Sequence, residues 1–134
     1  MEYSAKISVF GGRKISKENY ENAYDLGRLL NINKYLVYCG GGEGVMEAVA
    51  KGVQESGGQC VGILKGISTD EMNSYIDIPI ATNMGITRNA LLAYSCDAAV
   101  AICGQYGTLS EIAYALQLEK TVIGLGTWEI DGVI

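Results

Sequence analysis

Histidine is absent from this 134-residue chain, and proline, phenylalanine and tryptophan occur once each. Without imidazole there is no Ser-His or Cys-His nucleophile pair, so any acid–base work falls to Asp, Glu, Tyr, Lys or Cys. The four cysteines, Cys39, Cys60, Cys96 and Cys103, are widely separated, lie in or beside apolar runs and form no C-x-x-C pair. Zinc needs clustered thiolate or imidazole ligands, so no metal site is expected, and buried free thiols suit this apolar chain better than a disulfide framework. A basic run is also missing: ten Lys and Arg face fifteen Asp and Glu, for a net charge of −5. That balance speaks against nucleic acid as a partner. No apolar stretch approaches the ~20 residues that span a bilayer, and no charged segment followed by a signal-type apolar run opens the chain. The expectation is a cytoplasmic protein with no membrane partner and one domain over residues 1–134, long enough to bury a sizeable core.

Glycine, by contrast, is plentiful at eighteen residues, and much of it follows short apolar runs. Lys6 to Phe10 reads as a first strand ending at Gly11-Gly12, with Ser16 as N-cap of a helix whose inner face carries Tyr20, Ala23, Tyr24, Gly27 and Leu30. Tyr35 to Cys39 is a second strand, broken by Gly40-Gly41-Gly42-Glu43-Gly44; Met46, Val49, Ala50 and Val53 mark the next helix, which stops near Ser56-Gly57-Gly58. A third strand spans Cys60 to Leu64, a polar connection Ser68 to Ser74, and a fourth strand Tyr75 to Ile80. After Thr82-Asn83-Met84-Gly85 comes a helix bearing Arg88, Asn89, Leu91, Leu92 and Tyr94. Ala98 to Ile102 then forms a fifth strand and Thr121 to Leu125 a sixth. Between these two, Leu109, Ile112, Ala113 and Leu116 repeat at helical spacing. Alternation of this kind predicts an α/β fold: a Rossmann-like three-layer arrangement with an open, mostly parallel sheet of about six strands and helices on both faces.

Such sheets bind ligands at the carboxyl ends of their strands, where the glycine loops would gather. The strongest candidate is Cys103-Gly104-Gln105-Tyr106-Gly107-Thr108-Leu109-Ser110-Glu111, between a buried strand and a helix, because unpaired N–H groups and the helix dipole there attract an anion. The Gly40 to Gly44 run is weaker alone, since turns use glycine simply for its permissive backbone. It is no P-loop, lacking Gly-Lys-Ser or Gly-Lys-Thr. Nor is it a clean dinucleotide fingerprint, because Met46 stands at the third glycine's place; a mononucleotide suits it better than NAD. Thr108-x-x-Glu111 matches a capping box, which needs no chemistry, although a carboxylate fixed there would also face the cleft. Arg88, a cation beginning a helix, opposes the dipole unless an anionic ligand relieves the conflict. Tyr94 and Tyr114 could form a dimer face beside the core. Trp128 offers no specific clue.

On Tyr38-Cys39-Gly40-Gly41-Gly42-Glu43-Gly44-Val45-Met46, on Thr87-Arg88-Asn89 and on Gly104 to Glu111, the chain resembles a known superfamily. It contains the LONELY GUY cytokinin-activating phosphoribohydrolases, bacterial proteins mislabelled as lysine decarboxylases, and the molybdenum cofactor carrier proteins. The likeness covers nearly the whole length, and Gly104 to Glu111 parallels the family pattern P-G-G-x-G-T-x-x-E. It implies a homodimer or homotetramer with a pocket for a nucleoside monophosphate or a molybdopterin-type ligand and no required cofactor. Gly11, Gly12, Gly41, Gly42, Gly44, Arg88, Asn89, Gly104, Gln105, Gly107 and Thr108 are then the ligand-binding residues. Arg88 and Glu111 would be catalytic in the hydrolase branch, where a carboxylate can stabilise positive charge building on ribose.

Departures separate the branches. Cys103-Gly104-Gln105 replaces Pro-Gly-Gly, and Thr87-Arg88-Asn89 replaces the hydrolases' Glu-Arg-Lys. The Arg-Asn pair, the Tyr-Gly-Thr-Leu-Ser-Glu-Ile-Ala run and Gly124-Leu125-Gly126-Thr127-Trp128 resemble the carrier branch more closely, which usually continues into a final helix beyond this point. A minimal member of that kind would expose a face for a partner subunit to cover. Binding of a phosphorylated nucleotide or pterin-type ligand is therefore the expected function. Phosphoribohydrolysis of nucleoside 5'-monophosphates is the alternative, and a structural oligomer with vestigial loops a third. Lysine decarboxylation has no support, because Lys51, Lys65 and Lys120 lie in unremarkable polar contexts and no pyridoxal-bearing constellation is present.

Overall fold

A run of small apolar residues, Ala98-Ala99-Val100-Ala101-Ile102, can be covered on both faces without crowding, and it forms a central strand. The computed structural model describes residues 2–134. Its strands are β1 (Ala5–Gly11), β2 (Tyr35–Cys39), β3 (Cys60–Leu64), β4 (Ile78–Ala81), β5 (Ala98–Ile102) and β6 (Thr121–Leu125). The helices are α1 (Lys17–Ile32), α2 (Val45–Glu55), α3 (Arg88–Ser95) and α4 (Tyr106–Gln117), with a 3-10 turn at Gly85–Thr87 leading into α3. One six-stranded sheet runs β4-β3-β2-β1-β5-β6, and every pairing in it is parallel. The Rossmann-like expectation holds, with the sheet wholly rather than mostly parallel.

Two apolar layers flank the sheet. Val9, Val37, Val100 and Ile102 pack with Ala23 of α1 and Val45, Val49 and Val53 of α2 on one face; Phe10, Val61, Ile63 and Ala101 pack with Leu92 of α3 and Ile112 and Ala115 of α4 on the other. Ser16 caps α1 as expected, its Oγ accepting from the Asn19 N–H at 3.1 Å. α1 and α2 approach closely because Gly27 lies on the Val49 carbonyl and Gly52 on the Tyr24 carbonyl, where any side chain would collide.

Two expectations need correction. The fourth strand begins at Ile78 rather than Tyr75. Asn73 Oδ1 accepts from the Tyr75 N–H at 3.0 Å, turning the chain so that Ile76 plugs the space over Gly62. The Asp77 carboxylate then takes the Cys60 N–H at 3.0 Å. On α4 the buried stripe is Thr108, Glu111, Ile112 and Ala115, whereas Ala113 is exposed. Two polar side chains therefore occupy core-facing positions. They do so where α4 starts, at the edge that carries the candidate site.

Candidate functional site

Strand order reverses at β1, which has β2 on one side and β5 on the other. Loops leaving the carboxyl ends of β1 and β5 diverge there, and a crevice opens of the kind in which open parallel sheets hold ligands. Gly12, after β1, lies so near Gly104, after β5, that a Cβ on Gly12 would stand 3.3 Å from the Gly104 Cα. A cleft of about 690 Å³ sits over this point, lined among others by Gly11, Gly12, Arg88, Asn89, Gly104, Gln105, Gly107, Thr108 and Glu111. Gly41 and Gly42 line an adjoining cavity of about 320 Å³ at the ends of β2 and β3. Gly44 lines neither. At φ +68° it packs its bare Cα on the Gly12 and Arg13 carbonyls and begins α2. Its part is to join two loops, not to face a ligand.

The β5–α4 loop differs from the capping box read in the sequence. α4 starts at Tyr106 with Gln105 at the cap, no side chain caps it, and the Gln105 carbonyl accepts the Leu109 N–H at 2.9 Å. Thr108 is the third helical residue and Glu111 lies in the second turn, so neither closes the helix end. The early start follows from two left-handed residues in succession, Cys103 at φ +43° and Gly104 at φ +95°. Gly104 must be glycine on a second ground, because a Cβ would overlap the Thr108 Oγ1 beneath it. The backbone N–H groups of Tyr106, Gly107 and Thr108 precede the first helical bond and have no acceptors among the described residues, at the positive end of the dipole. Trp128, unread in the sequence, steadies this loop: its Nε1–H donates to the Gln105 carbonyl at 3.0 Å, and its ring lies 6.2 Å from that of Tyr106.

Arg88 is buried, and carbonyl oxygens rather than an anion resolve its conflict with the α3 dipole. Nη1–H donates to the Gly40 and Ile63 carbonyls, each at 2.7 Å, and Nε–H to Asn89 Oδ1 at 3.1 Å. Asn89 in turn donates to Ser110 Oγ on α4 at 3.1 Å, so one polar chain ties β2, β3, α3 and α4 together. Nη2 makes no hydrogen bond within the described residues. Asn73 pins the neighbouring loop, its Nδ2–H donating to the Gly42 carbonyl and its backbone N–H to Gly41, both at 2.8 Å.

Glu111 is 8% exposed and faces the cleft with no hydrogen-bond partner among the described residues. Burial pushes its carboxyl up to about 8, against the opposing pull of Arg88. At neutral pH it therefore carries its proton and is a hydrogen-bond donor. Beyond the expected residues, Arg13, Lys14, Met46, Lys65, Ile86 and Cys103 also line the larger cleft. A signal for the cations was present: Arg13-Lys14 directly follows the glycines ending β1, and Lys65 directly follows β3. All carboxyl ends of a parallel sheet share one edge.

Residues 4–133 match the model of the SLOG cluster4 family. The chain belongs to that family. It is 42% identical over 120 residues to an uncharacterized protein of Archaeoglobus fulgidus, covering 90% of this chain and 79% of that one. The cytokinin riboside 5'-monophosphate phosphoribohydrolase LOG3 of Arabidopsis thaliana is 34% identical over 119 residues, 80% of this SLOG protein but only 52% of the plant enzyme. Among solved structures, the molybdenum cofactor binding protein of Rippkaea orientalis superposes with a TM-score of 0.88 at 36% identity, over 96% of this chain and 79% of that one. Kinship with the phosphoribohydrolases and the molybdenum cofactor proteins, expected from the motifs, is thereby shown. No helix among the described residues is long and apolar enough to cross a membrane, and they contain no group of three or more His, Cys, Asp or Glu able to hold a metal ion.

Proposed function

We propose that this SLOG protein is a cytoplasmic, homo-oligomeric binding protein that takes a phosphorylated nucleotide or pterin-type ligand in the cleft between the β1 and β5 loops. The phosphate sits on the free N–H groups of Tyr106, Gly107 and Thr108, and the protonated Glu111 donates a hydrogen bond to a ligand oxygen. The observation that carries this reading is the start of α4, where the N–H groups of Tyr106, Gly107 and Thr108 have no acceptor among the described residues and open into a cleft lined by Arg13, Lys14, Lys65 and Arg88. Likeness over nearly the whole chain to a molybdenum cofactor binding protein supports the same branch. Exposed Tyr94 and Tyr114 on α3 and α4 supply an apolar surface for a second copy.

Hydrolysis of nucleoside 5'-monophosphates is the rival, favoured by the likeness to the plant phosphoribohydrolase. Calorimetric titration with AMP, other monophosphates and a pterin phosphate, with chromatography of released base from pH 6 to 9, separates the two. Saturable binding without base release supports the binding reading. Turnover that rises through pH 8 and vanishes in Glu111→Gln overturns it in favour of the hydrolase, and absence of binding by every ligand overturns both.

A further inference from the structure

An acidic chain with only ten basic side chains places four of them, Arg13, Lys14, Lys65 and Arg88, on the walls of one cleft. Arg13, Lys65 and Arg88 also line the adjoining smaller cavity, so these three stand at the junction of the two spaces. The carboxylates are kept to one space each: Glu111 lines only the larger, Asp70 and Glu71 only the smaller. Among the described residues the three junction cations have no anionic partner, since Arg88 bonds only to carbonyl and amide oxygens and the side chains of Arg13 and Lys65 make no hydrogen bond. Arg88 holds its proton less tightly than an ordinary arginine, chiefly through burial and least through repulsion by Arg13, with Glu111 across the cleft pulling the other way. Three unpaired cations gathered in one place, in a chain with an excess of acid, form a binding surface for negative charge.

This junction is separate from the α4 N-terminus. Arg88 is fixed at the Gly40 and Ile63 carbonyls, at the ends of β2 and β3. The Arg13 guanidinium reaches the same end, its Nη2 lying 3.4 Å from where a Cβ on Gly42 would stand. The loop entering α4 leaves β5, and β1 lies between β5 and β2. The two strands that these groups follow, β5 and β2, are two spacings apart, ~10 Å along the sheet edge, farther than one phosphate reaches.

Building on the phosphate-binding reading above, we propose that the Arg13–Lys65–Arg88 junction is a second anion subsite, and that the ligand is an elongated organic molecule with an anionic group at each end. One end rests on the α4 N-terminus. The other meets Arg88 Nη2, Arg13 and Lys65. A neutral ring or sugar between them lies along the glycine loops.

Linear inorganic phosphates of increasing length serve as a ruler. Orthophosphate, diphosphate, triphosphate and tetraphosphate are titrated calorimetrically and by fluorescence of Trp128, the single tryptophan, which is bonded to the α4 loop. The expected result is a step of about tenfold or more in affinity at the length that spans both subsites, the gain of added charge-assisted hydrogen bonds. In Arg13→Gln/Lys65→Gln the ratio of long-chain to short-chain affinity collapses. A smooth rise with charge, with the same ratio in the double variant, overturns the second subsite while leaving the phosphate reading standing. Equal weakening of every length places the cations at the first subsite and overturns it too. No response to any anion overturns both proposals.

Discussion

Replacing Glu111 with glutamine removes a titration that the fold itself opposes. The carboxyl ordinarily ionises at 4.5 and in this cleft at about 8, because burial disfavours the charged form more than Arg88 favours it. A carboxyl harder to ionise in the folded than in the unfolded chain contributes its full stability below 4.5. That contribution declines as pH rises and is gone above 8. Linkage puts the loss at about 1 kcal/mol at pH 5, about 3 at pH 7 and close to 5 at pH 9. Glutamine fills nearly the same space and does not titrate, so its loss is constant across the range. Urea denaturation of both proteins from pH 5 to 9 is the assay. The wild-type midpoint should fall steadily against that of Glu111→Gln, the difference growing by about 4 kcal/mol from pH 5 to 9, equivalent to roughly 10–15 °C in thermal midpoint for a domain of this size. Parallel stability curves would show that Glu111 ionises freely, and the protonated donor in the proposed site would fall with them. Ligand binding adds a second readout: a phosphate beside Glu111 raises its affinity for a proton further, so calorimetry at pH 8 in buffers of different ionisation enthalpy should register proton uptake.

Arg88→Ala strips partners from the Gly40 and Ile63 carbonyls and from Asn89; a loss of about 2–4 kcal/mol by urea denaturation is expected, with Arg88→Lys recovering part of it. Gly104→Ala forces a side chain into left-handed backbone and onto Thr108. At least about 2 kcal/mol of stability and the phosphate response of Trp128 should be lost together, and unchanged anion binding would move the phosphate away from this loop. Asn73→Ala unpins the Gly42 carbonyl and should cost about 1 kcal/mol while weakening anion binding more than denaturation alone explains. Tyr94→Glu, on the exposed side of α3, should convert an oligomer to a monomer in sedimentation velocity; an unaltered sedimentation coefficient would place the assembly face elsewhere.

Most of the fold was legible because its signals are local and redundant. β2, β3, β5 and β6 are bounded by glycine, polar or charged residues that stop a short apolar run at definite points, and their observed limits match those read from the chain. β4 was read too early because Tyr75-Ile76-Asp77 has strand-like composition. The turn that removes it depends on Asn73 and Asp77 bonding to segments distant in sequence. No window along the chain carries that information. The cations of the cleft escape a sequence reading for a related reason: Arg13, Lys14 and Lys65 look like ordinary surface charges until the parallel sheet brings the ends of β1 and β3 to one edge, on either side of β2.

The misread start of α4 says more about function than the correct readings do. Thr108 and Glu111 satisfy a capping-box pattern, and capping would make this loop locally favourable. Instead the helix starts two residues before Thr108 without a side-chain cap, Cys103 holds a left-handed backbone that suits glycine better, and Glu111 is buried without a partner. The left-handed Cys103 backbone costs stability, on the order of 1–3 kcal/mol, and burial of the Glu111 carboxyl opposes its ionisation. The departures are not scattered. All three line or border one cleft, beside a cluster of unpaired cations. A chain optimised only for folding would cap the helix with Thr108 and turn Glu111 to solvent; the ligand proposed above, with its anionic oxygens, would satisfy the free N–H groups, accept the Glu111 proton in a hydrogen bond and neutralise the cations together. The ligand-free protein should therefore gain far more stability from its true ligand than two or three hydrogen bonds supply, and the rise in thermal midpoint on saturation is the measure by which candidate ligands can be ranked.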